Sequence, residues 1–315
     1  MSKTEIETTA AAQGANPGRR RRSHNFTKKD RAVIAGLVGG PAVLHVVFVW
    51  LPAIATILLS FCQWDGIGGL SNIHWVGVKN YAQIFTLYSD FKIALRNNAL
   101  WLVWFGLVAT PLGVILAYYI DKNLKGTKFY QTSFYLPMVL SLAVTGIIWD
   151  YIFKVNGFVN VIFGYTDPNN APSWFGDPHK NIWVVLGIAS WRHIGYMMLL
   201  YLAGMKSVDP SLREASAIDG AGEWYTFRKV IFPSLRPVNI IVVVVTVIEA
   251  LRAFDLVYII NRGKNGLQVL AVAVYENILG ESQRIGWGAA LATILFCLCL
   301  GPIMVYLYQN FKKVD

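Results

Sequence analysis

From Ala32 to Cys62 the chain carries no formal charge, and this run constrains the fold more than any other feature of its 315 residues. About 20 apolar residues cross the hydrocarbon of a bilayer, so the run predicts a transmembrane helix with residues to spare. It is too long for the apolar core of a secretion signal and lacks a convincing small-residue cleavage site, so it is expected to stay as a span. Pro41 and Pro52 lie inside it and predict kinks, which neighbouring helices tolerate. Composition agrees: 55% of residues are hydrophobic and 15% charged, against roughly 25% charged in soluble domains. Residues 1–29, rich in Thr, Ala, Gly and Arg, lack hydrophobic periodicity and are expected to be a disordered basic tail. Residues 30–315 are then the membrane domain.

Five further apolar runs, at 97–120, 129–153, 181–204, 237–260 and 286–311, predict an all-α polytopic membrane protein with six transmembrane helices. An even number puts both termini on one side. Eighteen Lys and Arg fall on the face holding the tail, Lys122, Lys125, Lys128, the 205–236 loop and Lys312 with Lys313, against eight on the other. The excess assigns that face, and both termini, to the cytoplasm of a cell (inner/plasma) membrane. The net charge of +10 is concentrated at Arg19 to Arg22, Lys28, Lys29 and Arg31, just ahead of the first apolar run. That placement reads as an anchor against anionic lipid, with no nucleic-acid partner. Cys62, Cys297 and Cys299 lie in or beside apolar runs without paired spacing, and read as small core residues rather than disulfides or metal ligands. Trp64, Trp75, Tyr81, Phe85 and Tyr88 in loop 63–96, and Trp174 in loop 165–180, read as an aromatic belt. Some are candidates for a docking surface, since Trp and Tyr are also enriched at interfaces.

The 205–236 loop is too long for a mere connection. Asp209 followed by Pro210 is a helix start, an N-cap acceptor and then a proline at the first helical position. Leu212 to Ile218 contains no breaker, and Gly220 and Gly222 supply positions that end one helix and redirect the next. Trp224, Phe227 and Ile231 then recur on one helical face, with Glu223, Arg228 and Lys229 off it. Pro233 and Pro237 are expected to stop this second helix and launch the next span. An amphipathic helix lying in the headgroups is the plainer reading, but it requires neither the glycine turn nor a Glu-Ala-Ser that reads as buried.

These residues bring a family into view. Glu214, Ala215, Ser216, then Gly220, then Val230-Ile231-Phe232-Pro233 resemble the signature loop of ABC-importer permeases, Glu-Ala-Ala, three residues, Gly, nine residues, Ile-x-Leu-Pro. Ser, Val and Phe are departures of modest size. LLSFCQWDG (58–66), WVGVKNYAQIF (75–85), LPMVLSLAVTGIIWDYIF (136–153), SWFGDP (173–178) and LRAFDLVYII (251–260) are similar to the carbohydrate-uptake branch of that family, whereas NRGKNG (261–266) departs where such permeases often carry Gly-Gly-Pro. The resemblance implies that Glu214, Ala215, Ser216, Asp219, Gly220 and Pro233 couple the spans to an ATP-binding subunit, Glu214 pairing with a basic residue there. It further implies two copies of that subunit, a second related permease subunit, an extracytoplasmic solute-binding protein and a carbohydrate substrate.

Charge inside an apolar run is expensive and marks either a pathway or a structural pair. Glu249, Arg252 and Asp255 recur every three residues, with Tyr258 a turn on, so that Arg252 is placed to pair with both acids. Glu249 lies roughly 18 Å along the helix from Pro237, near the midplane. One reading is a substrate pathway in which Phe254 or Tyr258 supplies an apolar platform, with Trp191, Arg192 and Tyr196 from the fourth span. The other is a salt bridge that holds the bundle. His193 and His45 read as packing residues. Asp150 and Lys154 read as a surface pair.

No G-x-x-x-x-G-K-[ST] stretch is present, and Gly263-Lys264-Asn265 does not supply one. No cofactor is therefore expected on this chain, ATP and Mg being used by a partner ATPase, and no hydrolytic or metal-ligand motif appears. The expected function is the permease subunit of an ATP-driven carbohydrate importer, not itself an enzyme. Two alternatives stand beside it: an ABC permease for a polyol or glycerol phosphate ester, and an ion-driven secondary transporter using Glu249, Arg252 and Asp255 as a relay.

Overall fold

The computed structural model describes residues 27–67, 69–122, 125–165, 167–280 and 283–312. The tail ahead of Thr27, expected to be disordered, lies outside the described residues. The chain divides into two compact units, Met1–Ala53 and Ile54–Asp315. The first holds α1 (Lys28–His45), a π-helical turn at Val46–Trp50 and the start of α2 (Leu51–Leu59). The Thr27 hydroxyl accepts the Asp30 N–H at 3.2 Å while the Asp30 carboxylate accepts the Thr27 N–H at 2.9 Å. This reciprocal cap satisfies two otherwise orphaned donors, so Lys28 and Lys29, assigned to the tail by composition, are helical.

The second unit opens with the rest of α2, followed by a small antiparallel hairpin, β1 (Cys62–Gln63) against β2 (His74–Trp75). After α3 (Lys79–Leu87), α4 (Ser89–Trp104) continues through a π turn at Phe105–Ala109 into α5 (Thr110–Asp121). Then come α6 (Thr127–Val139), α7 (Leu142–Phe153), the short α8 (Phe158–Ile162) and the long α9 (Asn181–Ser207). A polar stretch holds α10 (Pro210–Ile218), α11 (Glu223–Thr226) and α12 (Phe232–Ser234). The chain finishes with α13 (Arg236–Leu251), α14 (Asp255–Asn261), α15 (Leu270–Ile278) and α16 (Ile285–Phe311).

The helical membrane architecture is as expected, but only five stretches among the described residues are long and apolar enough to cross a membrane. These are Ala32–Leu59, Ser89–Asp121, Leu142–Ile162, Asn181–Ser207 and Ile285–Asn310. The predicted spans at 129–153 and 237–260 are each two helices. In the first, Leu140 and Ser141 turn extended, and the Ser141 hydroxyl caps α7 by accepting the Val144 N–H at 3.2 Å. In the second, the helix stops at Leu251 and restarts at Asp255. The 16 residues of α13 extend about 24 Å, less than the ~30 Å of hydrocarbon. Neither piece crosses alone.

The core is organised around α9, which packs along α5 and α6. Gly195 permits the second contact: a Cβ there would lie 2.1 Å from the backbone oxygen of Phe134. Small residues let membrane helices approach this closely. One apolar cluster gathers Trp101, Phe105, Val185, Leu186, Val257, Leu267 and Val269; a second gathers Met197, Met205, Phe227, Ile231 and Leu235. The first surrounds the break after Leu251, and the second seats the polar loop.

Candidate functional site

The loop element is built as its residues dictate. The Asp209 carboxylate accepts the Ser211 N–H at 2.9 Å, which holds that carboxyl below its ordinary range, and Pro210 opens α10. At the other end Gly220 adopts φ 74°. Its N–H reaches the Ala217 oxygen at 3.1 Å, and the Ala221 N–H reaches that of Ser216 at 3.0 Å. This pair of bonds around a left-handed glycine closes the helix and consumes its orphan carbonyls.

The faces of α10 differ from the sequence reading. Only Ser216 of the Glu-Ala-Ser triplet is buried, its hydroxyl donating to the Leu212 oxygen at 2.9 Å. Ser216 therefore packs inward. Glu214, Ala215, Asp219 and Gly220 are exposed, and Ile218 is 86% exposed. A large apolar side chain left in water beside small residues and an acid makes a face with an unfilled requirement for contact.

Beneath that face lies a residue the sequence reading passed over. Asp121, at the end of α5, has a side chain only 6% exposed. Its carboxylate takes Arg213 of α10 at 2.5 Å and Lys206 of α9 at 3.0 Å. Lys122 pairs with Glu223, and that contact together with Tyr118 holds the ammonium above its ordinary range. The sequence signal was an acid among Lys122, Lys125 and Lys128, in a stretch counted only for its cations. A cavity of about 250 Å³ separates α10 from α5, walled by Tyr118, Asp121, Arg213, Phe227 and Ile231.

The helix after Gly222 does not stop at Pro233. It runs from Glu223 through a π turn at Phe227–Ile231 to Ser234. A wider turn is one way for a helix to absorb the missing N–H of a proline, so Pro233 shapes the helix without ending it. Phe227 and Ile231 are buried as the stripe requires, whereas Trp224 is exposed and stacks on Phe227 at 5.5 Å.

The second constellation sits at the break. A cavity of about 110 Å³, room for several waters, is lined by Trp101, Arg192, Glu249, Arg252, Phe254 and Asp255, with His193 in its wall. Five of the eight predicted pathway residues thus come together. Tyr258, Trp191 and Tyr196 do not line it: Trp191 packs edge-on against Trp149, and Tyr196 joins the cluster that seats the loop. Tyr258 stacks on Phe254 at 5.1 Å and meets Tyr275 at 4.8 Å, an aromatic partner that sequence spacing could not indicate.

The predicted pairing of Arg252 with both acids is not formed, because the helix that would align them ends at Leu251. Instead Glu249 faces Arg192 of α9 at 3.8 Å. His193 is the packing residue expected, stacked on Phe105 at 4.1 Å with Nε2 3.2 Å from the Thr110 hydroxyl. Asp150 and Lys154 pair at 3.4 Å, also as expected. Among the loop aromatics, Trp174 donates to Asn160 Oδ1 at 2.8 Å and Tyr81 to Ser60 Oγ at 2.7 Å, so both are pinned. Trp75 and Phe85 remain exposed.

Comparison with known proteins agrees with this architecture. Residues 109–313 match the family described as the binding-protein-dependent transport system inner membrane component. The xylose/arabinose import permease of Haloferax volcanii is 31% identical, covering 91% of this chain and 91% of its own. The osmoprotective compounds uptake permease of Synechocystis is 30% identical, covering 87% of this chain and 98% of its own. In fold, the crystal structure of a bacterial ABC transporter that imports the acidic polysaccharide alginate aligns with TM-score 0.77 at 18% identity, over 91% of this chain and 98% of that one. A capped polar helix anchored on the ends of two spans, a discontinuous span beside a charged cavity and this match lead to one conclusion: the chain belongs to the inner-membrane component family of binding-protein-dependent transport systems, a multi-pass membrane protein.

Proposed function

We propose that this chain is the permease subunit of an ATP-driven carbohydrate importer and forms half of the translocation pathway. The observation that carries the coupling role is the anchored helix α10. Its outward face presents Glu214, Ala215 and Ile218, and its inner face is tied through Arg213 to Asp121. A force applied to that face by an ATP-binding subunit passes to α5 through Arg213 and reaches α9 through Lys206. ATP and Mg belong to two copies of that partner. The charge asymmetry of the loops supports a cytoplasmic position for α10 and for both termini. On the opposite face an extracytoplasmic binding protein delivers solute, and a second, related permease subunit supplies the other half of the pathway.

The cavity at the helix break supports a polar, hydroxyl-rich solute. Arg192, Glu249, Arg252 and Asp255 provide donors and acceptors of both signs, and Phe254 provides an apolar ring. The names of several relatives favour a carbohydrate, while that of the osmoprotective compounds permease leaves room for another small solute. A broken helix beside charges also occurs in ion-driven carriers, but such a carrier leaves the anchored helix without a use.

The deciding experiment reconstitutes the assembled transporter in vesicles with its binding protein. Uptake is expected to require ATP and to be indifferent to a proton gradient. Uptake driven by the gradient without ATP would overturn the proposal.

A further inference from the structure

Between α14 and α15 the chain runs from Arg262 to Val269 without regular structure, yet Leu267 and Val269 are fully buried and Gln268 nearly so. Irregular backbone shielded from water must have its polar groups met by the protein. Two adjacent asparagines of α4 do much of this. Asn97 Nδ2 donates to the Gly266 and Gln268 oxygens, both at 2.8 Å. Asn98 is different in kind, because its bonds join the end of α13 to the start of α15. Its Nδ2 donates to the oxygens of Ala250 and Leu251 at 3.3 and 3.1 Å, and its Oδ1 accepts the Leu270 N–H at 2.9 Å.

Those partners are the last carbonyls of α13 and the first N–H of α15, the groups a helix leaves unpaired at its ends. One carboxamide, 1% exposed, therefore fixes where α13 stops and where α15 starts. The residues released directly after α13, ahead of α14, are Arg252, Ala253 and Phe254, which with Asp255 line the central cavity. We propose that Asn98 is a positioning residue for that cavity, holding the α13 terminus at the angle that presents Arg252, Phe254 and Asp255 to it. Its importance for transport rests on the reading of the cavity as the solute pathway. Chemistry limits what can replace it: Asp keeps an acceptor for Leu270 but turns a carboxylate on two carbonyls, and Ala strands all three groups.

The test uses the full assembled transporter carrying Phe254→Cys, with a water-soluble maleimide as probe and labelling at position 254 read by mass spectrometry. Asn98→Ala and Asn98→Asp are each introduced, with Asn97→Ala as comparison because Asn97 bonds the loop and not the break. Both Asn98 variants are expected to change the labelling rate at least fivefold, with Asn97→Ala within twofold of the parent. Equal rates in all of them, or the same change from Asn97→Ala, overturn the proposal. Transport per ATP hydrolysed, measured with Phe254 restored, separates the two layers. Altered labelling with unaltered transport upholds Asn98 as the positioning group and overturns the cavity as solute pathway. Should neither Asn98 variant assemble, hydrogen exchange on the unmodified transporter decides. The Leu270 amide is expected to exchange as slowly as the body of α15, and exchange at the rate of an open helix end overturns the proposal.

Discussion

Arg213, on the helix that faces outward from the polar loop, reaches the carboxylate of Asp121 at 2.5 Å, and Asp121 is the last residue of α5. Lys206, near the end of α9, holds the other carboxylate oxygen at 3.0 Å. One acid thus joins the end of α5 to two consecutive helices, α9 and α10, through residues that lie more than 80 positions further along the chain.

Asp121→Asn is expected to lower transport per ATP at least threefold while the transporter still assembles. Both cations keep access to water, at 40% and 53% exposure, so the stability lost is about 1 kcal/mol rather than the ~3–5 kcal/mol of a fully buried pair. Arg213→Ala should mimic it and add little in the double variant. Additive effects on coupling would show that the two side chains act separately.

Glu214→Ala should leave thermal stability unchanged, since the side chain is exposed, and should reduce ATPase stimulation by the loaded binding protein. Gly220→Ala acts otherwise. Its φ of 74° is strained for alanine although nothing lies within 4 Å of the added Cβ, so it costs about 1–2 kcal/mol through backbone conformation alone. Gly220→Asn is expected to recover much of that loss. Equal stability of the glycine and alanine forms would contradict the geometry.

In the broken span, Arg252→Ala and Asp255→Asn should depress transport with assembly intact. Tyr258→Ala should instead lower the melting temperature, because its ring contacts Phe254 and Tyr275 at 5.1 and 4.8 Å and aromatic pairs contribute about 0.5–1.5 kcal/mol each. A Tyr258→Ala transporter of normal stability but no transport would place Tyr258 in the pathway.

Gly195→Val is expected to block assembly. The Cβ would meet a backbone oxygen, which cannot rotate away, and overpacking of this kind costs about 1–3 kcal/mol or more. Yield of monodisperse protein in detergent is the measurement.

The cap of α10 has a defined pH sense. The Ser211 N–H depresses the Asp209 carboxyl below its ordinary 3.8, so the cap is complete above pH ~4 and fails only as pH falls through the lower folded value. Coupling should therefore show no Asp209 titration between pH 5 and 8. A loss in that window absent from Asp209→Asn would reveal a different environment for the cap.

The loop was legible because its signals are local: Asp209-Pro210 starts a helix, and Gly220 ends it within ten residues. The pathway was half legible. Charges in an apolar run announced a special place, but helical spacing then misled, since it assumed a continuous helix through Arg252. The break is held by Asn98, more than 150 positions away in sequence, and no local pattern near Leu251 signals it. Asp121 was missed for the same reason, because its meaning lies in Arg213 and Lys206.

The divided span also bears on how the protein is made. A segment of 16 residues leading into Arg252 and Asp255 is a poor autonomous passenger for the bilayer, as each charge near the centre costs about 2.5–3.5 kcal/mol on insertion. Its stabilising partners, Asn98 and Arg192, lie earlier in the chain and are synthesised before Glu249. Synthesis therefore has a direction: α4 and α9, which carry the partners, are made before the α13 segment that meets them.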